Sequence, residues 1–531
     1  MSKVIEPLLQ EIEDGPSGPR VGAFFDFDGT LIAGYSATVF LRDSLLKREV
    51  QPEALARAAM AGLEMRLRGA DVTRLIELAA VHWAGRPESE LEDLSRRLFH
   101  DHIAGMIYPE ARELVKAHQR MGHTVVIATS ATRYQAAPVA EDLGIEHVLS
   151  SRADVLDGIL TGRLGGSVLW GENKAKAVRE FSRRHRVTLS RSHGYADGDE
   201  DVPFLSAVGY PHPLNPQPQL ARYAGEKGWR AYRFRSRGTP SRTQVARTVA
   251  ALSALPVSGL VAGAVGLMNR SRRDAANFAT AVGSELALGI AGVRVRVVRG
   301  EQHLWSRRPA VFIFNHQSSL DMFVLGHLIK QDLGGVAKKE LARDPLFGPM
   351  GMLVPIAYVD RANSASAREA LKPVVDMLNE GISFAIAPEG TRSESPKLKP
   401  FKKGAFHIAM QAGVPLVPIV IRNAGELMWR GSFFPRPGTI EVVILPPVFP
   451  DGWTVEDVGE HAAEVEQMYR DTLENWPGVE PEPKPVGSSN GHSKVPPPEQ
   501  ARERPASRAR SRSPRPARAR SSSRGRGPRN A

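Results

Sequence analysis

Apolar and polar positions alternate in distinct rhythms along the chain. From residue 20 to about 236, short apolar runs (Val21–Phe25, Thr124–Ala128, Ser192–Ala196) are separated by stretches whose apolar positions recur at helical spacing. Short apolar runs bounded by polar residues read as buried strands, and strands alternating with helices predict an α/β fold with a parallel sheet. Between about Tyr35 and Tyr108 no such run occurs. Ala, Leu, Arg and Glu at helical spacing there predict a helical cap. The texture then changes. Val249–Met268 is twenty residues without a charge, preceded by Arg247 and followed by Arg270, Arg272 and Arg273. A second apolar run, Ala279–Val293, holds Glu285. From about Val295 to Trp476 the α/β texture returns, with strand candidates Ala310–Phe314, Ser383–Ala387, Leu416–Ile421 and Ile440–Ile444. No internal repeat is found.

Beyond Trp476 the chain is rich in Pro, Ser and Arg and holds 11 of the 40 prolines. So little apolar surface cannot offset the entropy of ordering, and residues 477–531 are expected to be disordered. At 531 residues the chain is long enough for roughly three or four folded units. Its 42% hydrophobic and 24% charged residues exclude collagen, wholesale disorder and a multi-span transporter. There is no cysteine, so disulfides, cysteine-ligated zinc and thiol catalysis are excluded, in keeping with a reducing cytosol. Met1–Pro16 lacks the basic start and apolar run of a secretory signal. The formal charge of +12 suggests a polyanion partner until it is located. Ala501–Ala531 carries 11 Arg against the single acid Glu503, a net of +10, which leaves +2 for everything else.

The first candidate chemistry is Phe24-Phe25-Asp26-Phe27-Asp28-Gly29-Thr30. Its two carboxylates follow a buried strand at i and i+2, so both can address one point at the strand's carboxyl end. Phosphoryl transfer uses such a pair: one carboxylate attacks phosphorus, the other handles the leaving group's proton, and Mg2+ neutralises the anions. Later come Thr129 and Ser130 at the end of an apolar strand, Lys174 ahead of a helical stretch, and Asp197-Gly198-Asp199-Glu200-Asp201 after another short strand. Singly, each of these reads as a helix cap, a solvated charge or an exposed turn.

Together and in this order, they resemble the haloacid dehalogenase-like hydrolases with a helical cap after the first motif, over residues 20–236 (cap about 35–108). The resemblance implies a Rossmann-like domain, with Asp26 as nucleophile and Asp28 as general acid/base. It assigns phosphate to Thr129, with Ser130 competing, and stabilisation of the phosphoaspartate to Lys174. Mg2+ would be held by Asp26, Asp28, Asp197 and Asp201. Phosphoserine phosphatases of this type carry an acid shortly after the first motif for the substrate's ammonium. Here Leu31–Phe40 has none and the first acid is Asp43. A buried ammonium without a counter-charge is costly, which argues against phosphoserine.

The second candidate chemistry is Asn315-His316-Gln317-Ser318-Ser319-Leu320-Asp321, between the strand Ala310–Phe314 and an apolar helical stretch. A turn lets Asp321 orient the imidazole, and with no Cys and no serine elbow His316 is expected to act as general base on a substrate hydroxyl. Tyr358-Val359-Asp360-Arg361 and Pro388-Glu389-Gly390-Thr391-Arg392-Ser393 each follow an apolar run. Glycine permits close backbone approach, and arginine clamps phosphate. With Leu416-Val417-Pro418-Ile419-Val420 the set resembles the glycerolipid acyltransferases that convert 1-acyl-glycerol-3-phosphate to phosphatidic acid, from about Ala291 to Trp476. Lys338-Lys339-Glu340-Leu341, Phe347-Gly348 and Phe401–Ala405 support it. The resemblance implies direct acyl transfer from acyl-CoA or an acyl carrier protein. Arg361, Glu389, Gly390, Thr391 and Arg392 would shape the acceptor's phosphate site, Glu389 by orienting Arg392, and Val417–Ile419 would line the acyl region.

Val249–Met268 is long enough to cross a bilayer. A single span would separate two domains that both use cytosolic phosphorylated compounds, and the basic flanks at both ends give no orientation. The expectation is therefore an apolar hairpin over 245–294 lying in the inner leaflet, on the cytoplasmic face of the cell membrane, with the acyltransferase domain at 295–476. The Arg-rich tail would meet anionic phospholipids. It has almost no aromatics for base stacking, so nucleic acid is the weaker expectation, and a solvated tail without a partner stands beside both. The sequence reads as a Mg2+-dependent phosphatase-like domain fused to a lysophosphatidate acyltransferase. The alternative is a phosphatase whose C-terminal half is a lipid-binding anchor. The oligomeric state is left open.

Overall fold

A computed structural model describes residues 4–47, 73–338, 355–359 and 367–478. The hydrolase sheet is built from β1 (Gly22–Phe25), β2 (Thr124–Thr132), β3 (His147–Ser151), β6 (His193–Ala196) and β7 (Tyr210–Pro213). Between β3 and β6 an antiparallel pair, β4 (Ala153–Leu156) and β5 (Ile159–Leu164), stands apart. The sheet order is 3-2-1-6-7 and every pairing is parallel. β1 takes the centre because Gly-Ala-Phe-Phe is apolar on both faces and buried throughout. On one face Phe25, Ile127 and Tyr195 pack with Leu8 and Ile12 of the helix Glu6–Glu13 and with Leu114 of Pro109–Arg120. On the other, Phe24, Val126 and Ala196 pack with Val178 of the helix Glu172–His185 and with Phe204. The predicted cap contributes the helices Ser36–Leu46, Thr73–His82 and Glu88–Asp101; its middle, 48–72, lies outside the described residues.

The second sheet contains β8 (Val293–Arg299), β9 (Val311–Phe314), β10 (Leu333–Lys338), β11 (Ile356–Val359), β12 (Ser383–Ile386), β13 (Leu416–Arg422) and β14 (Gly438–Ile444). Its order is 11-10-12-9-13-14-8, parallel except for β13 against β14. The wholly buried β9 lies at its centre, between β12 and β13. The strands that periodicity did not predict, β3, β4, β5, β7, β8, β10 and β11, are short or carry polar residues, as in Tyr-Pro-His-Pro of β7 and the alternating Val and Arg of β8.

The apolar runs become two helices, Arg242–Asn269 and Arg272–Ala291. The second run does not end with its helix. Val293 already starts β8, which pairs with β14, so the hairpin stops short of the expected 294. The helices approach through small residues: a Cβ on Gly266 would meet that of Ala275 at 2.7 Å, and one on Gly283 would meet Ser258 Oγ at 3.1 Å. Large apolar side chains of the first helix point away instead, with Leu260, Leu267 and Met268 at 78%, 82% and 83% exposure. By length and composition this helix can cross a membrane, and only 17% of its most apolar stretch is buried. The second helix packs on Leu320–Ile329, where a Cβ on Gly326 would meet Ser284 Oγ at 2.2 Å.

Both sheets belong to one compact unit, Met1–Glu480. Trp429 sits at their seam. It presses on Gly105, where a Cβ would meet its ring at 2.4 Å, and the guanidinium of Arg237 lies 4.4 Å from its ring centre. Arg237 donates to the carbonyls of Gly105 and Glu426, both at 2.8 Å, joining the two halves. Residues 479–531, and with them the expected disorder and lipid contacts of the tail, lie outside the described residues.

Candidate active sites

Register places the first set of predicted residues together. Phe25 pairs with Ile127 on one side and Tyr195 on the other, so Asp26, Thr129 and Asp197 all emerge at the carboxyl edge of neighbouring strands. Asp26 is buried, and its Oδ1 accepts from Lys174 Nζ at 2.7 Å. The same ammonium lies 2.6 Å from Asp201 Oδ1. Lys174 reaches them from the first turn of Glu172–His185 and is only 2% exposed. Burial opposes its charge, but Asp201 and Asp26 outweigh that and raise its pKa. Asp28 accepts from the backbone N–H of Ser36 at 2.7 Å and its hydroxyl at 3.2 Å, which ties the carboxylate to the start of the first cap helix. Burial, reinforced by the charge of Asp26, lifts Asp28 to about 7. Burial and then the charges of Asp26, Asp201 and Glu200 raise Asp197 to about 9, and Asp201 is raised as well. Gly29, at φ +77°, leaves room for this crowd, since a Cβ there would lie 2.2 Å from Asp197 Oδ2.

Asp28, Asp197 and Asp201, raised mainly by burial and by neighbouring carboxylates, form with Asp26 an oxygen-donor set that a hard divalent cation would relieve, and one ammonium does not balance it. Among the described residues Asp201 Oδ2 is buried without a hydrogen-bond partner, a donor oxygen that such a cation would take. Thr129 is buried and its hydroxyl accepts from the N–H of Ala131 at 3.0 Å. Ser130 is half-buried, and its carbonyl accepts from Ser151. Both lie in β2, which runs on to Thr132 rather than ending at the hydroxyls.

The second set is held by a short loop. Asn315 continues the pairing of β9 with its side chain, donating to the carbonyl of Ile421 at 2.8 Å and accepting from its N–H at 2.7 Å. His316 is thereby fixed at the strand end. Asp321, in the first turn of Leu320–Ile329 and wholly buried, accepts through Oδ2 from His316 Nδ1 at 2.8 Å, Gln317 N at 2.7 Å and Ser318 N at 2.8 Å. A carboxylate only accepts, so the proton sits on Nδ1 and Nε2 carries the lone pair. Arg392 Nη1 donates to Ser319 Oγ at 2.7 Å, which brings the guanidinium to the start of the same helix. Burial, aided by the charge of Arg430, lowers its pKa, while Asp321 pulls the other way.

Glu389 does not orient Arg392, contrary to expectation. Its oxygens are taken by the N–H of His316 at 2.7 Å, the hydroxyl of Ser393 at 2.6 Å and the N–H of Lys399 at 3.0 Å. The N–H of Ser393 in turn donates to the carbonyl of His316 at 2.7 Å. Glu389 is 2% exposed and therefore works as a strap between the two loops. Gly390 has φ +74°, with Lys402 packed where a Cβ would stand, and Thr391 is exposed. Val417 and Ile419 are fully buried in the core of the sheet. Arg361, like 339–341, Phe347 and Gly348, lies outside the described residues. Sequence reasoning missed Ser36, Ser319 and Arg430. Arg430 pairs with Glu394 at 2.5 Å beside Arg392 and reaches toward Asp101 of the hydrolase half at 3.9 Å. Lone serines and arginines carry no signal until the fold closes. A cavity of about 250 Å³ opens at this seam, lined by Thr38, Arg42, Asp101 and Arg430, and contains none of the predicted site residues.

Two ordered sets of side chains on two parallel-type sheets define a two-domain enzyme. The comparisons place each half. The family model for haloacid dehalogenase-like hydrolases matches residues 23–206, and the acyltransferase family model matches 295–422. A 1-acyl-sn-glycerol-3-phosphate acyltransferase of Limnanthes douglasii is 36% identical over 207 residues, 39% of this chain and 70% of the relative. A phosphoserine phosphatase of Mycobacterium tuberculosis is 34% identical over 250 residues, 45% of this chain and 81% of the relative. A Streptomyces azureus protein named for inhibition of morphological differentiation is 31% identical over 279 residues, 51% of this chain and the whole relative. The chain belongs to both families: it is a haloacid dehalogenase-like hydrolase domain fused to an acyltransferase domain.

Proposed function

We propose that the C-terminal half acylates 1-acyl-sn-glycerol-3-phosphate to phosphatidic acid, and that the N-terminal half hydrolyses a phosphomonoester. The observation that carries the first reading is the 2.8 Å bond from His316 Nδ1 to a buried, triply bonded Asp321, with Arg392 at the head of the same helix. In this reading Nε2 takes the proton of the acceptor's free hydroxyl as its oxygen attacks the thioester carbonyl of acyl-CoA or an acyl carrier protein. The imidazolium, stabilised by Asp321, then returns that proton to the leaving thiolate. Arg392, with Arg361 from outside the described residues, grips the acceptor's phosphate. The hairpin lies in the cytoplasmic face of the membrane through Leu260, Leu267 and Met268, so that an acyl tail stays in apolar surroundings beside the dyad.

In the hydrolase half Asp26 attacks phosphorus to form an aspartyl-phosphate, and Asp28, protonated near neutrality, gives its proton to the leaving oxygen. Asp26, Asp197 and Asp201 are the carboxylates that would hold Mg2+, whose charge would offset that of the phosphate, leaving Asp28 to carry the proton. Lys174 steadies Asp26 before attack and its phosphorylated form afterwards, and Thr129 binds phosphate oxygen. The absence of an acid in Leu31–Phe40 favours a substrate without an ammonium group next to the first motif. The test uses full-length protein in lipid vesicles with lysophosphatidate and labelled acyl donor. Phosphatidate forms, and Arg392→Gln raises the KM for lysophosphatidate by about tenfold or more. No phosphatidate with either acyl-CoA or acyl carrier protein as donor refutes the assignment.

A further inference from the structure

The hydrolase sheet holds a second cluster that neither chemistry uses. His118, His123, His193 and His212 are 0%, 7%, 1% and 5% exposed. His193 opens β6, four residues before Asp197, so about 13 Å of strand separates it from the carboxylate edge. Two of the four are fully committed. His123 Nε2 donates to the carbonyl of Pro16 at 2.8 Å, so its Nδ1 must accept from His118 Nδ1, also at 2.8 Å. His118 Nε2 is then left to accept the hydroxyl proton of Tyr195 at 2.8 Å.

The other two are not. β6 pairs with β7 in a register of His193 with Tyr210 and Tyr195 with His212, which puts both imidazoles on one face. His193 Nδ1 and His212 Nε2 face each other at 3.1 Å, and His193 Nε2 is buried with no hydrogen-bond partner among the described residues. The helix Glu6–Glu13 brings Glu11 Oε1 to 3.7 Å from the same His212 Nε2, too far for a hydrogen bond. All three atoms lie within 4.8 Å of one another. Ligands that share one tetrahedral ion at about 2.0–2.1 Å sit roughly 3.3 Å apart, and the 3.1 Å and 3.7 Å separations about His212 Nε2 bracket that value.

The charges agree. Burial, with the charge of His123 adding to it, lowers His193 to about 4, and burial with His193 lowers His212 to about 3. Both rings are neutral at physiological pH and offer lone pairs. Burial raises Glu11 more than the nearby Arg230 lowers it, yet its side chain remains 38% exposed and open to solvent. Two imidazoles and one carboxylate suit zinc-class cations rather than Mg2+.

We propose that Glu11, His193 and His212 bind a divalent transition-metal ion of the zinc class, which pins the N-terminal helix Glu6–Glu13 to the edge of the hydrolase sheet. Without it, that helix is held by the packing of Leu8, Leu9 and Ile12.

The test is a titration of chelator-stripped full-length protein with Co2+ and Zn2+ in excess Mg2+, which occupies the carboxylate site. One equivalent of Co2+ should give the visible absorption of a nitrogen-ligated ion, Zn2+ should displace it, and Zn2+ should raise the melting temperature. His212→Ala should abolish the spectrum, and Glu11→Gln, altered at a solvent-facing helix position and expected to fold, should weaken Co2+ binding by about tenfold or more. If the protein takes up no stoichiometric Co2+, or Glu11→Gln binds it like the unaltered chain, the proposal is overturned and the pair is a buried hydrogen bond.

Discussion

In the hydrolase half, Asp26, Asp28, Asp197, Glu200 and Asp201 crowd around one ammonium, and burial and mutual repulsion raise all of those carboxylates whose shift is resolved. In the acyltransferase half the buried carboxylate of Asp321 receives three donors within a span of six residues. The first arrangement is assembled from three segments distant in sequence and is electrostatically incomplete without a cation. The second is local, with its tautomer already set by the bonds to Asp321 Oδ2. One site is thus shaped by what it must bind, the other by hydrogen bonds made within its own turn.

Breaking the local site should have the largest effect. Asp321→Asn keeps the shape but can present an N–H to Nδ1, which favours the wrong tautomer; acyl transfer should fall by about 10³–10⁴-fold while phosphate release is unaffected. Equal rates in a lysophosphatidate assay would refute the orienting role. The next largest effect is in the crowded site. Lys174→Met strands Asp26 and Asp201 in a buried setting, and chemical denaturation should show a loss of about 3–5 kcal/mol along with loss of phosphatase activity.

Glu389→Gln sharpens the contrast between strap and ligand. The amide offers a donor where both oxygens now accept, so one bond is lost at about 1–3 kcal/mol, read as a lower denaturation midpoint. A changed KM for acceptor with unaltered stability would instead make Glu389 a phosphate-site residue. A further test of the crowded site is its pH dependence. Asp28 and Asp197, raised to about 7 and about 9, hold protons in the folded state that the unfolded chain releases near pH 4. Stability in chelator should therefore fall as pH rises from about 4 toward those values, read as a falling melting temperature. Mg2+ should flatten the slope, and so should Asp197→Asn.

The two sites also differed in how much the sequence disclosed. β1, β2, β9, β12, β13 and β14 were legible because each is a dense apolar run, and β6 as the short stretch Ser192–Ala196 ahead of the acidic cluster. β7 and β8 were not, since their burial comes from neighbours rather than from their own periodicity. Asp26, Lys174, Asp197, His316 and Asp321 were found through order and spacing, and the fold brings each set together. The role expected for Glu389 failed because a carboxylate beside an arginine in sequence can turn instead to nearer backbone donors across the turn, here His316 N and Lys399 N. The Glu11, His193 and His212 cluster was invisible, because its members lie on three elements and meet only through the register of β6 with β7.

The most direct measurement assays purified wild type, His316→Ala and Asp26→Asn for both acyl incorporation into phosphatidate and phosphate release. Two independent chemistries predict a crossed result: His316→Ala loses acyl transfer by about 10³-fold or more and keeps phosphate release, and Asp26→Asn does the reverse. Acyl incorporation unchanged in His316→Ala, or both activities abolished by either substitution in folded protein, would contradict it.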